Sequence, residues 1–338
     1  MLRVLFAGSP DCAVPSLEAI ARKHQIVAVL TNPAAPQGRS PVLVPTPVAL
    51  AAERLKAQGL ISSDTPILTP EKINDDVRAL IAAQKPDIMA CFAFGKIFGP
   101  KTLALFPLGA INLHPSLLPR WRGCAPVPAA ILARDRETGI TIQKMALEMD
   151  AGDIILQKTI PLTGTETADE LLEQTSREGA PMMVEAIDHI EMETVCAVTQ
   201  DAGMATYCAM IRKEEAEIDW NRSAHDIDAQ IRAFTPWPGT FTRAGEQTLL
   251  ILKAHVYAPD SAPLADTAPL ADVSTATPAG SKPGMVIGID KKEGILVQTG
   301  DGILTLERLQ WRTRKPLDWK TFLNGSRDFI NTELGKGI

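Results

Sequence analysis

Three polar residues that could share one reaction lie close together in the chain: Asn112 and His114 in Ile111-Asn112-Leu113-His114-Pro115, and Asp150 in Met149-Asp150-Ala151-Gly152-Asp153. Apolar and polar residues alternate from Ile111 to His114. A strand has period two, so Asn112 and His114 project from one face while Ile111 and Leu113 anchor the other. Pro115 ends that strand, which puts His114 at the carboxyl edge of the sheet, where open α/β sheets bind ligands. An imidazole beside a carboxamide at that edge would polarise and hydrogen-bond one carbonyl oxygen. By itself an Asn-x-His is more often a satisfied core histidine next to a turn cap, because three residues carry little information. Asp150 shifts the balance, since it opens a turn directly after a β-α-β passage and would return a carboxylate to the same edge. An Asp–His–Asn set with no serine or cysteine partner fits acyl transfer to an external nucleophile without a covalent enzyme intermediate.

The elements that must hold these residues can be read from the flanking pattern. Leu2–Ala7, Ile26–Thr31 and Ile88–Cys91 are short apolar runs suited to buried parallel strands. Val14–Arg22, Val48–Ala57 and Asn74–Ala83 carry apolar residues at helical spacing between them. This alternation predicts a Rossmann-like, doubly wound parallel sheet. Ala110–His114 adds a strand, a helix is expected to begin near Cys124, and Gly139–Met145 alternates like a half-buried strand. Thr167-x-x-Glu170 resembles a capping box opening a long helix towards Ile190. Beyond about residue 205, short strand candidates at Phe241–Val256, Met285–Ile289, Gly294–Thr299 and Ile303–Gln310 predict a small β-barrel or sandwich. Residues 258–283, with APLAD twice, read as a mobile surface insertion. The expected domains are therefore 1–205 and 206–338.

Composition excludes several classes. The chain has 338 residues, of which 45% are hydrophobic and 22% charged, so it can bury a large core and is neither disordered nor fibrous. No apolar run approaches a membrane span, and MLRVLFAGSPD reads as a first strand rather than a signal-peptide core. Five dispersed cysteines with no CxxC pair imply neither disulfides nor a zinc knuckle, so a cytoplasmic protein without a metal is expected. A net charge of −6 argues against non-specific coating of nucleic acid and leaves room for one local RNA-contact surface. The first βα turn, Ala7-Gly8-Ser9-Pro10-Asp11, lacks the GxGxxG spacing of dinucleotide sites, and neither GxxxxGK[ST] nor GxSxG occurs.

The segments NLHPSLLPRWRGCAP, ETGITI and MDAGDII, taken together, closely resemble the signature of the folate-dependent formyltransferases. The resemblance extends through FAGSPDCAVPSLEAI, AFGKIFGP and TYCAMIRKEEAEIDWNRSAHDIDAQIRAFTPWPGTF, covering most of residues 2–245 and the TGDGIL turn at 299–304. It implies 10-formyltetrahydrofolate as cosubstrate. Asn112 and His114 would then hydrogen-bond the formyl oxygen, and Asp150 would pair with His114 and relay the proton. Ser116, Leu117, Leu118 and Pro119 would border the folate, with Ala93, Phe94 and Gly95 opposite.

The opening and closing segments are most similar to family members whose acceptor is methionyl initiator tRNA, which implies a C-terminal OB-like tRNA-binding domain and a monomer. Arg39 is the implied tRNA contact, although Pro41 and Val42 stand where such members usually carry lysines. Relatives acting on an amino-sugar nucleotide or on water share much of the signature, and a non-catalytic RNA-binding protein of the same fold is the alternative of another class. Cys124 is expected to be a small buried filler, and Trp220 and Trp237 to be structural anchors between the domains.

Overall fold

A computed structural model describes residues 1–36, 41–258 and 282–335, the side chain of Arg327 excepted. Arg39 and nearly all of the 258–283 insertion lie outside the described residues. The chain divides into two compact units. The first comprises residues 1–127, 136–162 and 170–209, and the second comprises 128–135, 163–169 and 210–338. No helix among the described residues is long and apolar enough to cross a membrane.

The first unit is built on β1 (Arg3–Gly8), α1 (Val14–Ala21), β2 (Gln25–Leu30), α2 (Pro47–Ala57), β3 (Ile67–Leu68), α3 (Asp75–Ala83), β4 (Ile88–Phe92) and β5 (Ala110–His114). There follow β6 (Arg122–Gly123), α4 (Pro126–Leu132), β7 (Glu137–Lys144), β8 (Ile154–Pro161), α5 (Ala168–Glu191) and β9 (Tyr207–Cys208). Seven strands form one sheet in the order β8-β7-β5-β4-β1-β2-β3. The five strands β1 to β5 run parallel in the order 3-2-1-4-5, the Rossmann arrangement, whose switch point lies between β1 and β4.

Two features differ from the sequence expectation. The sheet is mixed, because β7 runs antiparallel to both β5 and the edge strand β8. And β7 is not half-buried: Thr138 to Gln143 are all buried, since β7 is flanked by strands on both sides and covered on both faces. The polar residues there, Thr138, Thr141 and Gln143, thus lie inside the protein. Val4 to Ala7 and Ile88 to Phe92 are buried without interruption, as strands covered on both faces must be.

The second unit contains α6 (Ala224–Ala233), β10 (Phe241–Ala244), β11 (Gln247–Val256), β12 (Val286–Asp290), β13 (Gly294–Gln298), β14 (Ile303–Trp311), β15 (Leu317–Asp318) and α7 (Trp319–Asn324). Its six strands form an antiparallel sheet in the order β10-β11-β14-β13-β12, with β15 added on β14. Among the described residues β10 and β12 do not pair with each other, so the sheet is a part-barrel with open edges. Its core gathers Ile227, Ile231, Leu249, Ile251, Val297, Leu306 and Phe322 around Trp220, whose Nε1 donates to Thr242 Oγ1 at 2.9 Å. Trp220 is therefore an internal anchor of this unit. Trp237 is not an anchor: its side chain is largely exposed at the turn after α6.

Candidate active site

β5 ends at the carboxyl edge of the sheet with Asn112 half-buried and His114 only 4% exposed. Their positions follow from strand pairing: Asn112 lies beside Cys91 on β4 and opposite Gln143 on β7, while His114 lies opposite Thr141. The Asn112 carboxamide makes no hydrogen bond within the described residues and so keeps its donors and acceptor available.

Asp150 reaches His114 from the turn between β7 and β8, with its Oδ1 3.6 Å from His114 Nδ1. That is an ion-pair distance, longer than a hydrogen bond. Asp150 has φ of 56°, a left-handed conformation that Asp tolerates better than most residues. The turn depends on Gly152, where a Cβ would stand 1.8 Å from the Lys144 carbonyl oxygen. Only glycine lets the two chain segments approach so closely. Gly123 is constrained twice, by φ of +114° and by the Cys208 carbonyl 2.2 Å from any added Cβ, and its N–H donates to Asp150 Oδ2 at 2.9 Å. Gln143 Nε2 donates to Oδ1, also at 2.9 Å.

His114 Nε2 lies 2.8 Å from the Trp121 carbonyl oxygen. A carbonyl only accepts, so Nε2 carries the proton and Nδ1 is the nitrogen that faces Asp150. Burial pushes the imidazole below its ordinary value, against the pull of the Asp150 carboxylate and of the bond to Trp121. At neutral pH the ring is therefore uncharged, with its unprotonated nitrogen towards the carboxylate.

The residues expected to border a folate divide by exposure. Ala93 and Gly95 are exposed, and both have positive φ. Leu117 and Pro119 are half-buried. The side chains of Phe94, Ser116 and Leu118 are buried instead. Phe94 stacks on Phe98, and Ser116 Oγ donates to the Arg120 carbonyl at 2.6 Å. The side chains of these three are committed to the fold, and their main-chain groups bond Asn32, His114, Thr141 and Gln157 within the protein. Cys124 is exposed, in contrast to the buried filler expected: it follows β6, and its N–H bonds the Cys208 carbonyl while its side chain faces outward.

Gln143 and Gln200 belong to the same cluster and carry no motif in the sequence. Gln143 could have been found as the lone amide in the apolar run of GITIQKM; Gln200 sits in a loop fifty residues beyond Asp150 with no local signal.

The Formyl transferase family matches residues 2–187, and the Formyl transferase C-terminal domain matches residues 210–327. The chain is 47% identical over 329 residues to the methionyl-tRNA formyltransferase of Treponema denticola, covering 97% of this chain and 98% of that protein. It is 45% identical to that of Treponema pallidum, covering 99% of this chain and all of that protein. Among solved structures, an N-formyltransferase from Helicobacter canadensis in complex with folinic acid and dTDP-3-aminofucose has a TM-score of 0.60 at 19% identity, covering 90% of this chain and 99% of that one. At that identity the likeness concerns the fold.

Proposed function

The chain belongs to the formyl transferase family, and from that premise we propose that it transfers the formyl group of 10-formyltetrahydrofolate to the amino group of methionyl initiator tRNA. What carries this assignment is the likeness to methionyl-tRNA formyltransferases over nearly the full length of both chains. A cytoplasmic monomer is the form we assign to it.

The formyl group on a folate nitrogen is amide-like and a poor electrophile. The amine must lose a proton as it attacks, the carbonyl oxygen must carry negative charge in the tetrahedral intermediate, and the folate nitrogen must gain a proton before it leaves. Asn112, whose carboxamide has no partner among the described residues, is the donor we assign to the formyl oxygen; such donors supply about 3–4 kcal/mol to a developing oxyanion. His114 is the second donor, through the Nε2–H now bonded to Trp121. The formyl oxygen takes the place of the Trp121 carbonyl, so the loop at residues 115–123 must yield slightly when substrate enters. Asp150, facing Nδ1, accepts the proton lost by the amine and returns it through water to the leaving nitrogen, so one proton is moved and His114 stays the Nε2–H donor.

The folate is assigned to the edge between Ala93–Gly95 and Ser116–Pro119, where Ala93, Gly95, Leu117 and Pro119 are the residues with accessible surface and Phe94, Ser116 and Leu118 shape the edge from within. In the C-terminal part, residues 206–338, we assign an OB-like topology and a tRNA-binding role. Arg308, Arg312, Arg314, Lys315 and Lys320 are all exposed on β14, the following turn and α7, a cationic surface suited to phosphates. Arg39 is kept as a tRNA contact on the resemblance alone.

The test is a formyl-transfer assay with methionine-charged initiator tRNA, an amino-sugar nucleotide, glycinamide ribonucleotide and water as acceptors. Transfer to the tRNA is expected. Turnover on another acceptor with none on the tRNA would refute the assignment.

A further inference from the structure

Behind Asp150 lies a buried chain of polar side chains that the chemistry above does not use. Arg122, 3% exposed on β6, donates through Nε and Nη2 to Gln200 Oε1 at 3.0 and 2.8 Å. Its Nη1 faces the Tyr207 hydroxyl at 3.2 Å and Glu148 at 3.5 Å. Gln200 Nε2 donates to the carbonyl oxygens of Asp150 and Gly152 at 2.8 and 2.7 Å, with Gln143 Oε1 at 3.3 Å. Gln143 Nε2 then donates to Asp150 Oδ1.

The direction of every bond in this chain is forced. A guanidinium has donors and no acceptor, so the atom of Gln200 facing Arg122 must be its oxygen. The Gln200 amide nitrogen is thereby turned towards the two turn carbonyls and the oxygen of Gln143. With that oxygen receiving a proton, the Gln143 nitrogen points at Asp150. Two amides that could flip freely in water are fixed in one orientation by a charge at the far end.

We propose that Gln143 and Gln200, oriented by Arg122, are positioning residues that hold the Asp150 carboxylate as an acceptor facing His114 Nδ1. The proposal rests on the catalytic roles assigned to His114 and Asp150. Gln143 fixes the carboxylate directly. Gln200 fixes the turn that carries it, by bonding the carbonyls on both sides of Ala151. A carboxylate that receives donors on both oxygens, from Gln143 and from the Gly123 N–H, cannot rotate its proton-accepting edge away from the histidine without breaking one of them. Neither glutamine need touch substrate.

The experiment compares the full-length protein with Gln143→Leu, Gln143→Glu and Gln200→Glu. The two glutamates keep the shape of the glutamine while replacing a donor by an acceptor, so they test hydrogen-bond direction without opening a cavity. In the tRNA formylation assay each variant is expected to lose about tenfold or more in kcat, with KM for folate and for tRNA held within about twofold. A merely structural role would not produce that split. Independently of activity, the ring 15N resonances of His114, identified by their loss in His114→Gln, are expected to move in all three variants. Folded variants with unchanged kcat, or with unmoved His114 resonances, would overturn the proposal. A parent protein that does not formylate the tRNA, with His114 resonances that still move in the variants, would instead overturn the function while leaving the positioning intact.

Discussion

His114 is buried and held between two acceptors, the Trp121 carbonyl on Nε2 and the Asp150 carboxylate near Nδ1. The carbonyl settles the tautomer, and the carboxylate is the group assigned to carry the proton from amine to leaving nitrogen. Removing either side of the pair should therefore affect chemistry more than binding. His114→Ala and Asp150→Asn are each expected to lower kcat by about 10²–10⁴-fold, with tRNA affinity nearly unchanged. Single-turnover formylation alongside equilibrium tRNA binding checks this, and an unaltered kcat in both variants would remove the assigned roles. The residue types at 112, 114 and 150 were legible from spacing and resemblance. Gln143 and Gln200 were not, because a glutamine acquires its meaning here only from the arginine that orients it.

At the scale of elements, the site depends on how closely the turn after β7 folds back on that strand. The Lys144 carbonyl occupies the space a side chain at position 152 would need. Gly152→Ala must push the turn outward, which would cost about 1–3 kcal/mol of stability and would carry Asp150 away from His114. A lower urea midpoint together with reduced kcat is the expected result, and a variant as stable and active as the parent would show that the turn can relax freely. The parallel part of the sheet follows from apolar runs alternating with helical patterns; β1, β2, β4, β5 and the helices α1 to α3 fall within a few residues of the sequence expectation, while the two-residue β3, Ile67–Leu68, is too short to show a pattern. The edge differs for a physical reason. Alternation predicts one solvated face, but in β7 the polar residues Thr141 and Gln143 are buried and hydrogen-bonded within the protein, and only the fold supplies their partners. The second unit followed the expected series of short strands, but whether its sheet closes depends on pairing between strands distant in the chain.

For the whole molecule, buried His24 and His114 and half-exposed His255 give the two units opposite responses to pH. In the first unit, burial lowers His24 below its ordinary 6.5, with Asp188 and Glu191 opposing, and burial also lowers His114. The unfolded chain then binds more protons than the folded one, so stability is complete above the unfolded value and declines as pH falls through it. His255, in the second unit, behaves in the reverse sense. Burial disfavours its charge, but hydrogen bonds to Glu307 and Glu293 outweigh that and raise it. Its contribution is present below the unfolded value and is lost as pH rises through the folded one. Between about pH 6 and 8, protection of the β1 amides should rise with pH while that of the β14 amides falls. Hydrogen exchange corrected for intrinsic rates measures both, and changes of the same sign in the two units would contradict this account.

The sequence by itself determined what depends on local order: the alternation that builds strands and helices, the two-residue spacing that puts Asn112 and His114 on one face, and the Pro115 stop that leaves them at the sheet edge. It also carried the family resemblance, through residues whose types are tied to the chemistry. Only the tertiary structure decided which groups meet across the chain. It brought Asp150 to the unprotonated side of His114, placed the Trp121 carbonyl on the other, turned Ser116 and Leu118 inward, and joined Arg122, Gln200 and Gln143 into one directed chain. Hydrogen-bond direction depends on partners brought together by folding, and no pattern of spacing along the chain records it.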